Sequence, residues 1–148
     1  MKRRKSKKRS DTTSPPEPTF FCDENLGRLV FPGRLREAGV RVEIFADHFP
    51  LGTKDQDWLR AIAGKEWLLL TLDARIRYNR LEQLALLESG IGAFVLVGGK
   101  DHKRVAESFL KAMHRVLRFA EKHPKPWIAK VYRDGKVKPW LSGEESGR

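Results

Sequence analysis

A single cysteine, Cys22, is the entire thiol content of this 148-residue chain. One thiol cannot build an internal disulfide framework, and without CxxC or Cys/His spacing there is no zinc-ligand pattern. A reducing, cytoplasmic setting is expected. Long apolar runs are missing as well. The most apolar segments, such as "WLLLTL", are far too short to cross a bilayer, so a soluble protein without membrane contact is expected. The basic start "MKRRKSKKRS" looks like the positive part of a signal peptide. Polar, Pro-rich "DTTSPPEP" follows where an apolar segment would have to stand, so secretion is not expected. No internal repeat is visible.

What is present fits a globular protein with a heavily charged surface, 40% apolar and 33% charged. The length suits one domain with a tail. Residues 1–18 read as a disordered basic arm, because they hold three prolines and too few apolar groups to bury. The folded domain is expected over 19–140, and 141–148 as a flexible tail. The net charge of +11 is unevenly spread: the first ten residues hold seven Lys/Arg. Residues 11–99 carry ten basic and thirteen acidic groups, and residues 100–140 carry twelve basic and four acidic. An acidic centre thus lies between two basic regions of the kind that attract polyanions, nucleic acid above all. A solvated surface is the competing account, and the arm also has the composition of a nuclear import signal.

Apolar patterning alternates between the two periods. "TFFC" reads as a strand, and "LGRLVFPGRLREAG" as a helical region interrupted near Pro32 and closed by Gly39. "VRVEIF" alternates like a strand, "DQDWLRAIAG" is a short helix, and "WLLLTL" is a strand buried on both faces. "RLEQLALLESG" and "AFVLV" add a helix and a strand. One long helix is expected from about His102 to Lys122, with Val105, Phe109, Met113, Val116 and Ala120 as its apolar stripe. "WIAKVY", the turn "RDG" and "KVKPW" suggest a final hairpin. Strands alternating with helices predict a three-layer α/β/α fold around a central, mainly parallel sheet.

The acids fall where such a sheet would use them. Ligands of open parallel sheets bind beyond the carboxyl ends of the strands. Asp23 and Glu24 end the first strand in "FFCDENLG", Asp73 ends "WLLLTLD", and Asp55 and Asp57 open a helix in "GTKDQDWL". Carboxylates gathered on one edge repel one another unless a cation is present, and oxygen-only ligands suit Mg2+ or Mn2+. Helix capping is the competing role, strongest for Asp57 and weaker for Asp55, while for Asp73 capping and ligation can coexist. Asn25 reads as a carboxylate-orienting or plain turn residue. Arg75, Arg77 and Arg80 suit either an RNA phosphate or pairing with Glu82 and Glu88. Glu82 itself is placed to point back toward the site, and His48 reads more as a loop histidine than as a base.

Taken together, "FFCDENL", "LREAGVRVEIFADHF", "GTKDQDWL", "WLLLTLDARIRYNRLEQLAL" and "PWIAKVYRDGKV" resemble the PIN-like domains, specifically the small VapC-type toxin-related family. The resemblance covers about residues 19–138 and leaves the basic arm outside. It implies a metal-dependent endoribonuclease with a Mg2+ or Mn2+ site at Asp23, Asp55 and Asp73, with Glu24 and Asp57 adjoining. It also implies a toxin–antitoxin pair, with RNA as substrate and a cognate antitoxin as partner. For a fourth acid, "AFVLVGGKD" offers only Asp101. Lys103, Arg104, Lys111 and Arg115 on the long helix would track the RNA backbone alongside Arg75 and Arg77. Trp127, Tyr132 and Trp140 are stacking candidates or core residues. A homodimer could use Leu81, Leu84 and Leu87, which suit a core face equally well. Two other functions fit parts of the pattern. One is a PIN-like scaffold that binds RNA or antitoxin without catalysis. The other is a phospho-receiver, disfavoured because the fourth strand ends "VLVGG" without a hydroxyl.

Overall fold

The computed structural model describes residues 17–72 and 80–142. Strand β1 (Thr19–Cys22) leads through a 3-10 turn (Glu24–Leu26) to α1 (Val30–Glu37), β2 (Arg41–Ile44), the single-turn α2 (Phe45–His48) and α3 (Asp55–Gly64). Then come β3 (Leu68–Leu72), α4 (Arg80–Glu88), β4 (Gly92–Leu96), α5 (His102–Lys111), α6 (Met113–Lys122), β5 (Trp127–Val131) and β6 (Val137–Ser142). The six strands form one sheet in the order β2-β1-β3-β4-β5-β6. All neighbours are parallel except β6, which runs antiparallel to β5. The expected α/β/α architecture with a mainly parallel sheet is what the chain adopts.

Period-two alternation sends the strand side chains into two separate cores. Phe20, Cys22, Leu68, Leu70, Phe94, Leu96, Trp127 and Ala129 face one way. They meet Phe31 and Leu35 of α1, Val105 and Phe109 of α5, and Val116 and Phe119 of α6. Phe21, Leu69, Ala93, Val95 and Ile128 face the other way, against Phe45, Trp58, Leu59 and Ile62 and against Leu86 and Leu87 of α4. β3 and β4 are buried at every position, as strands covered by helices on both faces must be. Gly92 has no side chain because the Trp127 ring occupies that space: an added Cβ would lie 2.6 Å from it.

Several expectations need correction. Pro32 does not interrupt a helix; α1 starts at Val30, so the proline sits in the first turn, where its missing N–H costs no intrahelical bond. The helix expected over His102 to Lys122 is two helices meeting at Ala112. Its two parts run to different places. His102 touches the carbonyl of Asn25 beside the strand ends, whereas Ala120 and Glu121 line a cavity with Thr19 at the start of β1. The apolar faces of both helices lie on the same core. Phe45, read as the end of a strand, instead starts α2. Leu141 and Ser142 belong to β6 rather than to a tail. The arm, apart from Glu17 and Pro18, lies outside the described residues, as does the chain beyond Ser142.

The sheet ends on β2 at one side and on β6 at the other. β6 carries Pro139 opposite Ala129, with the exposed Lys138 next to it. Among the described residues no helix is long and apolar enough to cross a membrane.

Candidate active site

The chain passes from β1 to β2 on one side and returns to β3 on the other, so the carboxyl ends of β1 and β3 flank the point where the strand order reverses. Sheets of this kind bind ligands there. Asp23 is the residue at that point. It continues β1 by one backbone bond, its N–H donating to the carbonyl of Leu70 at 3.0 Å. Only 2% of it is exposed. A carboxylate buried this far needs compensation. Part of it comes from the Glu24 backbone N–H, which donates to Oδ1 at 2.6 Å, and from the Thr71 hydroxyl, which donates to Oδ2 at 2.9 Å.

Asn25 locks the same two strand ends together. Its Nδ2 donates to Thr71 Oγ1 at 3.1 Å, and its Oδ1 accepts from the Leu72 N–H at 3.3 Å. An amide–hydroxyl–carboxylate chain therefore runs Asn25 to Thr71 to Asp23. Thr71 was missed in the sequence because a threonine inside an apolar run reads as an ordinary strand former. Only the register shows its partners. His102 supports the turn from behind: its Nε2 lies 3.1 Å from the Asn25 carbonyl, and its ring lies where a Cβ on Gly27 would come within 3.1 Å.

Asp55 approaches from α3. It is the first helical residue rather than the cap, a place taken by Lys54. Its Oδ1 accepts from Trp58 Nε1 at 3.1 Å, a one-turn contact that directs the carboxylate along the helix start. Asp23, Asp55 and Glu82 of α4 line one narrow cavity, about 20 Å3 in volume, whose other walls include Thr71 and the apolar Trp58, Leu59 and Leu86. This is room for about one water-sized occupant. The position expected for Glu82, pointing back from its helix, is the one it takes. Among the described residues, no three His, Cys, Asp or Glu groups stand close enough to hold a metal ion. Asp73, with Arg75 and Arg77, lies outside the described residues.

The other candidates are placed elsewhere. Glu24 and Asp57 are exposed and do not line that cavity. Asp101 caps α5, accepting from the N–H groups of Lys103 and Arg104, and pairs with the Arg104 side chain at 3.7 Å. Lys103, Arg104, Lys111 and Arg115 are all exposed on α5 and α6, and Arg115 donates to the carbonyl of Gly135. Trp127 is core, and Lys130 Nζ lies 4.2 Å over the half-buried ring of Trp140. His48 Nε2 donates to the Glu43 carboxylate at 2.7 Å, and its ring packs tilted or edge-on against Phe21, Phe49 and Trp67. Leu87 belongs to the core, while Leu81 is 78% exposed.

A strand-end carboxylate thus stands at the reversal of a parallel sheet, with acids from two helices lining the same cavity. Residues 18–98, more than half of the chain, match the PIN like domain family, and the protein belongs to it. More particularly, it is similar to the Mycobacterium tuberculosis (strain ATCC 25618 / H37Rv) protein named "Putative ribonuclease VapC45". The two are 27% identical over 118 residues, which cover 76% of this chain and 85% of that protein. No solved structure gives a significant match.

Proposed function

We propose that the protein is a metal-dependent endoribonuclease, the toxin of a toxin–antitoxin pair. The observation that carries this reading is Asp23, a carboxylate 2% exposed at a strand end, opening with Asp55 and Glu82 into one small cavity. Family membership and the likeness to a protein named as a ribonuclease point the same way. The donor set fits a hard divalent cation, since all its ligating groups are carboxylate or hydroxyl oxygens. Asp23, Asp55 and Asp73 would hold Mg2+ or Mn2+, with Glu82 as the acid on the far wall. Such an ion supplies Lewis-acid activation of water and charge compensation for a phosphodiester transition state.

The chain's own residues do the positioning. Thr71 and Asn25 fix the rotamer of Asp23, so that its carboxylate is held in place before any ligand arrives. Trp58 does the same for Asp55 and, with Leu59 and Leu86, gives the cavity an apolar wall. The low polarity of these walls strengthens every charge interaction inside. Lys103, Arg104, Lys111 and Arg115 offer cations to the RNA backbone from helices of the opposite layer. Two protein partners belong to the same reading: a cognate antitoxin, and a second copy of the chain, for which the exposed Leu81 is an apolar contact.

The test is cleavage of total cellular RNA in Mn2+ by the wild type, Asp23→Asn and Asp73→Asn, purified free of antitoxin. The expected result is a product pattern that EDTA and either substitution abolish. Intact RNA together with no Mn2+ binding by the wild type would sink the catalytic reading and leave a binding module.

A further inference from the structure

Asp23 borders a second concavity, on the side of β1 away from the narrow acidic cavity. It opens between the β1–α1 turn and the segment after β2, and is about 620 Å3 in volume. One wall is acidic, from Asp23 and Glu24. The other is apolar, from Phe45, Phe49 and Leu51, and Arg28 stands at the rim. The Phe45 and Phe49 rings are 5.4 Å apart, and Phe49 also meets Phe21 edge-on at 5.9 Å, so the half-buried Phe49 ring is held rigidly. Leu51, on the same wall, is 90% exposed. Arg28 is exposed, and among the described residues no ion pair engages it.

We infer that this concavity is a base-reading subsite, taking the nucleotide that flanks the scissile phosphate and favouring bases that carry an exocyclic amino group. The inference rests on the ribonuclease reading above and adds the substrate preference of that same site. Three features select a nucleotide over other occupants. The concavity shares Asp23 with the acidic cavity, so a chain whose phosphate lies at one has its neighbouring base at the other. A rigid aromatic ring and an exposed leucine form the kind of stacking platform that single-stranded RNA uses. The charges are also complementary to one nucleotide: Arg28 suits its phosphate, and the Glu24 carboxylate accepts hydrogen bonds but donates none. An acceptor-only group rewards the amino groups of adenine and cytosine and repels the O4 carbonyl of uracil. Glu24 then acts as a specificity residue facing the base, outside the metal's ligand set.

The measurement is fluorescence anisotropy of the full-length protein with labelled hexanucleotides of adenylate, cytidylate or uridylate. It is made in Ca2+, with RNA integrity checked on a gel. The wild type should bind the adenylate and cytidylate probes more tightly than the uridylate probe. Phe49→Ala should weaken all three by about tenfold, the loss of one stacked base. Leu51→Ala, at a site too exposed to threaten the fold, should weaken them several-fold, and thermal melting checks that Phe49→Ala is folded. Glu24→Gln, which can donate as well as accept, should bring the three probes to near parity. Equal affinity of the wild type for all probes, no measurable binding, or Phe49→Ala and Leu51→Ala binding like the wild type would overturn the subsite. The last result is also what a protein-docking groove would give. If Phe49-dependent binding is found while the wild type neither binds Mn2+ nor cleaves RNA, the base-binding concavity stands and the nuclease reading fails.

Discussion

Asp23 and Asp55 were legible as single residues because each breaks a local pattern. One is an acid ending an apolar strand, and the other an acid opening a helix. Their supports were not legible, since Thr71 and Asn25 act across 48 and 46 positions of sequence and only strand register brings them together. Cys22, next to Asp23, is a small buried hydrophobe: it is 1% exposed, and burial pushes its thiol from 9.0 up to about 12. Unfolding at alkaline pH therefore releases a proton. The stabilisation from the neutral buried thiol is intact below pH 9.0 and is lost as pH rises toward about 12. The denaturation midpoint should fall over that window and fall less steeply in Cys22→Ala. Native protein at pH 8 should also react with a thiol reagent far more slowly than in denaturant, because little thiolate forms in the fold.

Among the elements, every strand was anticipated, because runs of four to six residues with alternating or continuous apolar pattern leave little choice. Helix ends were harder. The break at Ala112 carries neither glycine nor proline, so no residue in the sequence marks it. The four-residue α2 is too short for any periodicity to show. The β1–α1 turn is the connection with the most to lose. Gly27 has φ +72, and a side chain there would press on the His102 ring at 3.1 Å. Gly27→Ala should therefore cost about 1–2 kcal/mol of stability. It should also weaken Mn2+ binding, because the same turn holds Asp23 and Asn25; calorimetry and thermal melting report the two effects separately. A melting shift with unchanged Mn2+ affinity would show that the turn and the carboxylates are not coupled.

For the molecule as a whole, charge sorting was readable from the sequence, but its relation to the fold was not. The acids at Asp23, Asp55 and Glu82 converge on one cavity, while Lys103, Arg104, Lys111 and Arg115 stand on helices of the opposite layer. RNA held by both must bend around the edge of the sheet, so affinity should depend strongly on salt. Each lost phosphate contact lowers the slope of log affinity against log salt by about 0.7 for a single strand. The double substitution Lys103→Gln, Lys111→Gln should reduce it by about 1.4 without moving the cleavage position. An unchanged slope would remove α5 from the RNA path.

Pro139 on β6 has a consequence for the behaviour of the protein in a crowded cell. An outer strand ordinarily invites a neighbouring chain to add itself and start an aggregate. Proline offers no N–H to a newcomer, and the exposed Lys138 beside it adds a charge that would have to be desolvated. The opposite outer strand, β2, spans four residues and begins with the exposed Arg41. Neither border of the sheet is a good template, so the protein can carry an apolar interior of this size at high concentration without recruiting its copies into fibrils.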